Sequence, residues 1–169
     1  MQYEAIVIGV SSGGMNALNI IFSALPENFS IPIIIVQHLS ARSDSQWIKL
    51  LNKKSSLEIK EADEKEKIEA GIIYIAPPNY HLMIEKDKKF SLTIDQRVNF
   101  ARPSIDVLFE SAAEAYKNKL IGMVLTGSNN DGTKGIKRIK ECGGLIIIQD
   151  PKTAESAYMP KSEIGRAHV

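Results

Sequence analysis

Pro32-Ile33-Ile34-Ile35-Val36 is continuously apolar and rich in β-branched side chains. Such a run has no polar face, so as a strand it must be covered on both sides, the condition of a parallel sheet packed between helices. Ala5-Ile6-Val7-Ile8, Ile72-Ile73-Tyr74-Ile75-Ala76, Ile121-Gly122-Met123-Val124-Leu125 and Leu145-Ile146-Ile147-Ile148 have the same character. Helical patterns separate most of them. Strands alternating with helices predict a doubly wound α/β fold built on a mostly parallel sheet.

The spacing predicts a first strand over Ala5–Gly9 and a helix over Gly14–Leu25, whose stripe is Met15, Leu18, Ile21, Phe22 and Leu25, stopped by Pro26. A second helix is expected across Ser43–Leu51, with Trp47, Leu50 and Leu51 inward, then a short strand at Leu57-Glu58-Ile59 and a charged surface segment, Glu61–Glu69. His81–Glu85 and Phe90–Ile94 flank a Lys/Asp-rich turn and form a β-hairpin insertion. Ser104 is placed to cap a helix carrying Ile105, Leu108, Phe109 and Ala112. A last helix over Thr133–Cys142 turns Ile136, Ile139 and Cys142 inward before Gly143-Gly144.

A chain of 169 residues, 44% of them hydrophobic, is enough for one domain with a proper core. The net charge is +1, from 21 basic and 20 acidic residues, which argues against a nucleic-acid partner and against attraction to a membrane. No apolar run approaches the roughly 18 residues of a membrane span. One cysteine, Cys142, allows no disulfide framework, and Met1-Gln2-Tyr3-Glu4 leads straight into a strand without a signal peptide. The cytoplasm is the expected compartment.

Behind the first strand stands Gly9-Val10-Ser11-Ser12-Gly13-Gly14. Gly9–Gly13 fits G-x-S-x-G, the sharp turn that lifts a serine above a sheet edge, and the following helix aims free N–H groups and its positive end at the same spot. The loop also fits a plain helix start with Ser12 as N-cap, or a phosphate cradle. A dinucleotide fingerprint fits poorly, because Ser11 stands where the second glycine belongs and no acid follows about 20 residues on. A P-loop fails for want of a Lys-Ser/Thr pair.

In an open parallel sheet, ligands bind beyond the carboxyl ends of the strands. Ser11 follows the first strand, His38 the second, and Asp131 the strand that ends at Leu125. A serine too weakly acidic to attack alone would pass its proton to His38, held in the right tautomer by Asp131. The order Ser…His…Asp is not that of the α/β-hydrolases. Each residue also has a bland role: His38 as a bonded bystander, Asp131 as a turn or cap residue before Gly132. His81 competes weakly as a base, since it begins the hairpin, and His168 is terminal.

Six blocks, Ile8–Gly14, Val36–His38, Tyr74–Pro77, Arg102–Phe109, Leu125–Gly132 and Met159-Pro160, resemble in order and spacing the catalytic domain of the chemotaxis protein-glutamate methylesterase family. The similarity covers about Ile6 to Glu163. It implies a Ser–His–Asp hydrolase that demethylates glutamate side chains on chemoreceptor helices and deamidates particular glutamines there, with Ser11, His38 and Asp131 as its triad. Backbone N–H groups of Ser12 and Ser128 become candidates for the oxyanion hole, and Arg102 and Met159 for substrate contact. No metal or organic cofactor is required. The partners implied are the cytoplasmic helices of methyl-accepting receptors and, as a regulator, a separate phospho-receiver protein. A related serine esterase or amidase, and a non-catalytic anion-binding module, are the competing readings.

The sequence departs from that family in three places. The chain begins at the catalytic strand, so phosphorylation control within the same chain is expected to be absent. The loop before the acid reads Gly127-Ser128-Asn129-Asn130-Asp131 where the family has roughly Gly-Met-Gly-Asn-Asp. The end Ile164–Val169 reads like a translated sequencing adaptor, which predicts a catalytic domain over 1–163, cut short at its C-terminus, and a non-native tail.

Overall fold

The structure is a computed structural model that describes residues 2–38 and 46–167. Among these residues eight strands and five α-helices follow in the order β1 (Ala5–Val10), α1 (Gly14–Ala24), β2 (Ile33–Gln37), α2 (Gln46–Asn52), β3 (Glu58–Glu61), β4 (Ile72–Ile75), β5 (His81–Ile84), β6 (Phe90–Thr93), α3 (Ile105–Tyr116), β7 (Leu120–Val124), α4 (Thr133–Glu141), β8 (Leu145–Ile148) and α5 (Tyr158–Ala167), with a short 3-10 turn at Lys117–Lys119 between α3 and β7. Six strands make one parallel sheet in the order β3-β4-β2-β1-β7-β8. The doubly wound α/β architecture and the hairpin insertion, β5 with β6, are as the sequence predicts.

The apolar runs fill both faces of the sheet because neighbouring strand residues point opposite ways. Ile6, Ile8, Val10, Ile33, Ile35, Ile73 and Ile75 pack with Leu18 and Phe22 of α1 and Ile48 and Leu51 of α2. Ala5, Val7, Ile34, Val36 and Tyr74 face the other way, onto Leu108, Phe109 and Ala112 of α3 and Ile136 and Ile139 of α4. The hairpin joins this second core through Leu82, Ile84 and Phe90, whose ring meets Tyr74 edge-on at 4.9 Å. Each such buried side chain contributes about 1.5–3 kcal/mol. At the sheet edge, Leu145 and Ile147 turn half-exposed to solvent.

Helix α2 corrects one expectation. Its seven residues bury Ile48 and Leu51 and leave Leu50 58% exposed, with Trp47 half-buried. Ile48 and Leu51 form the buried stripe and Trp47 packs against the same core, so Trp47 and Leu51 face inward as the sequence predicts and Leu50 alone does not. Ser43–Ser45, where that helix was expected to begin, lie outside the described residues, as does His168.

The chain travels from β1 outward to β3 and then returns to lay β7 and β8 on the other side of β1. The order reverses between β1 and β7. That is the switch point at which doubly wound sheets open a crevice at the carboxyl ends of their strands.

Candidate active site

Ser11 stands one residue beyond β1, with its N–H donating 2.9 Å to the Thr126 carbonyl. The turn after it needs Gly13, whose φ of +83° lies in the left-handed region and where a Cβ would meet Glu155 Cβ at 2.7 Å. Gly127 matters by close approach: a Cβ there would sit 2.7 Å from Met159 Cε and 3.0 Å from Ser11 Cβ. Thr126 fastens the turn, its hydroxyl donating 2.7 Å to the Ser12 carbonyl. Gln37, at the end of β2, donates to the carbonyls of Ser11 (3.0 Å) and His38 (3.2 Å), tying the first two strand ends together.

The His38 ring places Nε2 2.7 Å from Asp131 Oδ2. Asp131 is fully buried. Rather than capping the helix behind it, the carboxylate caps α3 from another loop: Oδ2 accepts the Ile105 N–H at 2.6 Å and Oδ1 the Asp106 N–H at 3.1 Å. Ser104 hydroxyl (2.8 Å) and Asn99 Nδ2 (2.9 Å) complete the cradle on Oδ1. Burial alone would push this carboxyl up. The bonds from His38, Asn99 and the Ile105 N–H outweigh it and hold the group below the ordinary carboxylate range. The positive end of α3 acts in the same direction. Asp131 is therefore ionised, and His38 carries its proton on Nε2.

Asn129 stands between His38 and Ser11. Its Nδ2 is 3.0 Å from His38 Nδ1 and 3.3 Å from Ser11 Oγ, while its Oδ1 accepts the Asp131 N–H at 2.9 Å. That last bond fixes which end of the amide faces the histidine.

Two hollows meet at Ser11 and His38. One, about 400 Å³, continues past Gly13 and Asn16 to Glu155. The other, about 360 Å³, runs beneath Arg97, Asn99, Phe100 and Arg102. Phe100 projects at its lip, 98% exposed with φ +63°.

The remaining expected site residues fall in different places. The hydroxyls of Ser12 and Ser128 bond to each other at 3.0 Å, bringing the two expected oxyanion donors side by side. Their backbone N–H groups take no hydrogen bond among the described residues. Ser12 does not cap α1, whose N-cap is Gly13; Ser104 does hold the N-cap position of α3, but its hydroxyl goes to Asp131 and makes no capping bond to the helix. Arg102 lines the second hollow, yet its guanidinium is committed to the carbonyls of Ile94 (2.9 Å) and Asp95 (3.1 Å) and to Asn79 Oδ1 (2.8 Å). Met159 is fully buried beneath Gly127, so it supports the loop floor and meets no ligand from solvent. His81 is buried, with Nε2 2.9 Å from the Gln96 carbonyl and Nδ1 accepting the Ser104 N–H at 3.2 Å; both nitrogens are spent on the scaffold. Among the described residues no cluster of His, Cys, Asp or Glu is arranged to hold a metal ion.

A hydroxyl, an imidazole and an ionised buried carboxylate at the ends of three adjacent strands form a set suited to acyl transfer. The CheB methylesterase family model matches residues 6–169. The chain belongs to the CheB methylesterase family. Members include a Thermotoga maritima protein named protein-glutamate methylesterase/protein-glutamine glutaminase, 39% identical over 98% of this chain and 49% of that protein. A Leptospira interrogans protein whose name gives the same two activities is 62% identical over the whole chain and 88% of its own length. The crystal structure of the Thermotoga maritima CheB methylesterase catalytic domain superposes with a TM-score of 0.94 at 37% identity, covering all of this chain and 91% of that one. As a CheB-family chain the protein is a hydrolase, and no helix among its described residues is long and apolar enough to cross a membrane.

Sequence reasoning missed Asn99, Gln37 and the amide of Asn129. Gln37 lies inside Val36–His38 and Asn129 at a departure from the family loop, so position alone marked them. Asn99 left no signal, because its role depends on a turn that bridges Val98 to Ala101.

Proposed function

We propose that the chain hydrolyses γ-methyl esters of glutamate side chains on chemoreceptor cytoplasmic helices, with Ser11 as nucleophile, His38 as base and Asp131 as the orienting acid. The observation that carries this reading is the 2.7 Å bond from His38 Nε2 to buried Asp131, on the same rim as Ser11. Ser11 Oγ attacks the ester carbonyl carbon and its proton passes to His38 Nδ1, while Asp131 stabilises the imidazolium. The C–O bond to methoxide breaks and the same proton leaves with it as methanol. Water, activated by His38, then cleaves the glutamyl-Ser11 ester and frees a carboxylate. With a glutamine side chain the leaving group is ammonia and the remaining steps are the same.

The N–H groups of Ser12 and Ser128 are the donors for the oxyanion, a role in which losing one typically lowers the rate about 100–1000-fold. Glu155 on one side of Ser11 and Arg97 with Arg102 on the other give the cleft an acidic and a basic end, suited to a charged helical segment laid across it. The test is methanol release from methylated receptor cytoplasmic domain by wild type and Ser11→Ala. Release that depends on Ser11 is expected. Equal release from both proteins removes Ser11 from its role, and no release from either moves the reading to another ester or amide.

A further inference from the structure

Both ring nitrogens of His38 are occupied. Nε2 is committed to Asp131 at 2.7 Å, which leaves Nδ1 as the acceptor. Its lone pair meets Asn129 Nδ2 at 3.0 Å. Among the described residues Ser11 Oγ has the same amide as its partner, at 3.3 Å, and the amide approaches as a donor. The base is thus capped at the atom that should take the proton, and the nucleophile at the oxygen whose lone pair should attack. The amide cannot be read the other way round, because Asn129 Oδ1 accepts the Asp131 N–H at 2.9 Å.

We propose that Asn129 is a latch on the resting site: its carboxamide keeps Ser11 and His38 apart, and must swing away before the proton can move between them. The geometry favours a movable part. Asn129 is half-buried and lines the hollow of about 360 Å³ on the Arg97 side, so the amide has room to turn about its broad terminal torsion. The latch rests on the reading of Ser11 as nucleophile and His38 as base. It makes Asn129 a positioning residue that sets how often the pair is ready.

The test uses a small fluorophosphonate and the intact chain. Ser11 Oγ forms a bond to phosphorus, the P–F bond breaks, fluoride leaves, and the Ser11 proton goes to His38 Nδ1. Asn129→Ala removes the cap and is expected to raise the second-order labelling rate about two- to tenfold, the worth of one neutral hydrogen bond. In parallel, the 15N resonance of His38 Nδ1 moves toward that of a free acceptor nitrogen, read without any reagent. Asn129→Asp keeps an acceptor for the Asp131 N–H but offers His38 a carboxylate, which traps a proton on Nδ1. Its labelling falls about tenfold or more, as a charge-assisted bond outweighs a neutral one. Loosening of the loop would slow both variants, so opposite signs are the mark of a latch.

Labelling that is unchanged or slower in Asn129→Ala overturns the proposal, as does a Nδ1 resonance that does not move. Should wild type and variants all label independently of Ser11, the nucleophile reading itself fails. The resonance then separates that failure from an error about the hydrogen bond alone.

Discussion

Two buried carboxylates share one corner of this molecule and are treated in opposite ways. Asp131 and Asp106 both accept from the Nδ2 of Asn99, at 2.9 and 2.7 Å. Around Asp131, a histidine ring and the start of α3 overcome the effect of burial, and the carboxyl is held low. Around Asp106 burial prevails. The N–H groups of Gly135 (2.7 Å) and Gly132 (3.1 Å) pull the other way, but the nearby charge of Asp131 adds to burial and the carboxyl is raised. Depth alone therefore does not decide whether an acid is ready to serve as an anion. On the proposed mechanism Asp131 faces the ring that becomes positive when His38 takes the Ser11 proton, while Asp106 joins α3 to the start of α4 through Gly132 and Gly135.

Asp131→Asn should have the largest effect. An amide there turns N–H groups against donors that are themselves buried and offers His38 a donor in place of an acceptor, forcing the ring proton onto the nitrogen that faces Ser11. Ser11-dependent labelling should fall on the order of 10³–10⁴-fold. Asp106→Ala should show the reverse balance. Gly132 and Gly135 lose their acceptor, each orphaned donor costing about 1–3 kcal/mol, and the melting temperature should drop by about 5–20 °C. Labelling of the folded fraction should stay within about tenfold of wild type, the scale of one altered hydrogen bond. A collapse as deep as that of Asp131→Asn would show that the two acids act as one unit.

The two carboxylates also impose opposite pH dependences on stability. Asp131 is depressed, so its contribution is full above the unfolded value of about 3.9 and is lost as pH falls through the lower folded value. Asp106 is raised, so its contribution is present below about 3.9 and is lost as pH rises through the higher folded value. Thermal melts between about pH 3 and 7 should show Asp106→Asn gaining on wild type as pH rises. Asp131→Asn should lose ground, chiefly at the acid end. Equal slopes would erase the contrast.

Glu4 sharpens it from the surface. Lys119 and Lys88 grip its carboxylate at 2.6 and 2.8 Å and hold its pKa at about 2, a larger departure than its stability effect will suggest. Because water and salt screen an exposed pair, Glu4→Gln should cost no more than about 1 kcal/mol, and less at high salt.

The parallel sheet was legible because β-branched runs without a polar face leave a strand no other place. Ser11, His38 and Asp131 were legible as rim residues because each lies just past a strand, and the order β2-β1-β7 then makes those strands neighbours. What the sequence could not carry was contact between distant segments. Asp131 looks like the cap of the helix that follows it, and only the packed fold shows its carboxylate on the start of α3. Met159 reads as a surface contact until the loop above it is seen to need a floor. Leu50 looks as apolar as Leu51, and a seven-residue helix is too short for periodicity to tell them apart.

The turn at Asn99 has a consequence in time. Val98 and Ala101 exchange backbone bonds of 3.0 and 2.9 Å across it, while the Asn99 side chain plugs the gap between the two acids. The turn cannot lift without drawing out that plug. The rate at which deuterium replaces the Val98 and Ala101 amide protons thus bounds how often Asp131 loses its setting, and it can be read in a tube that contains no substrate.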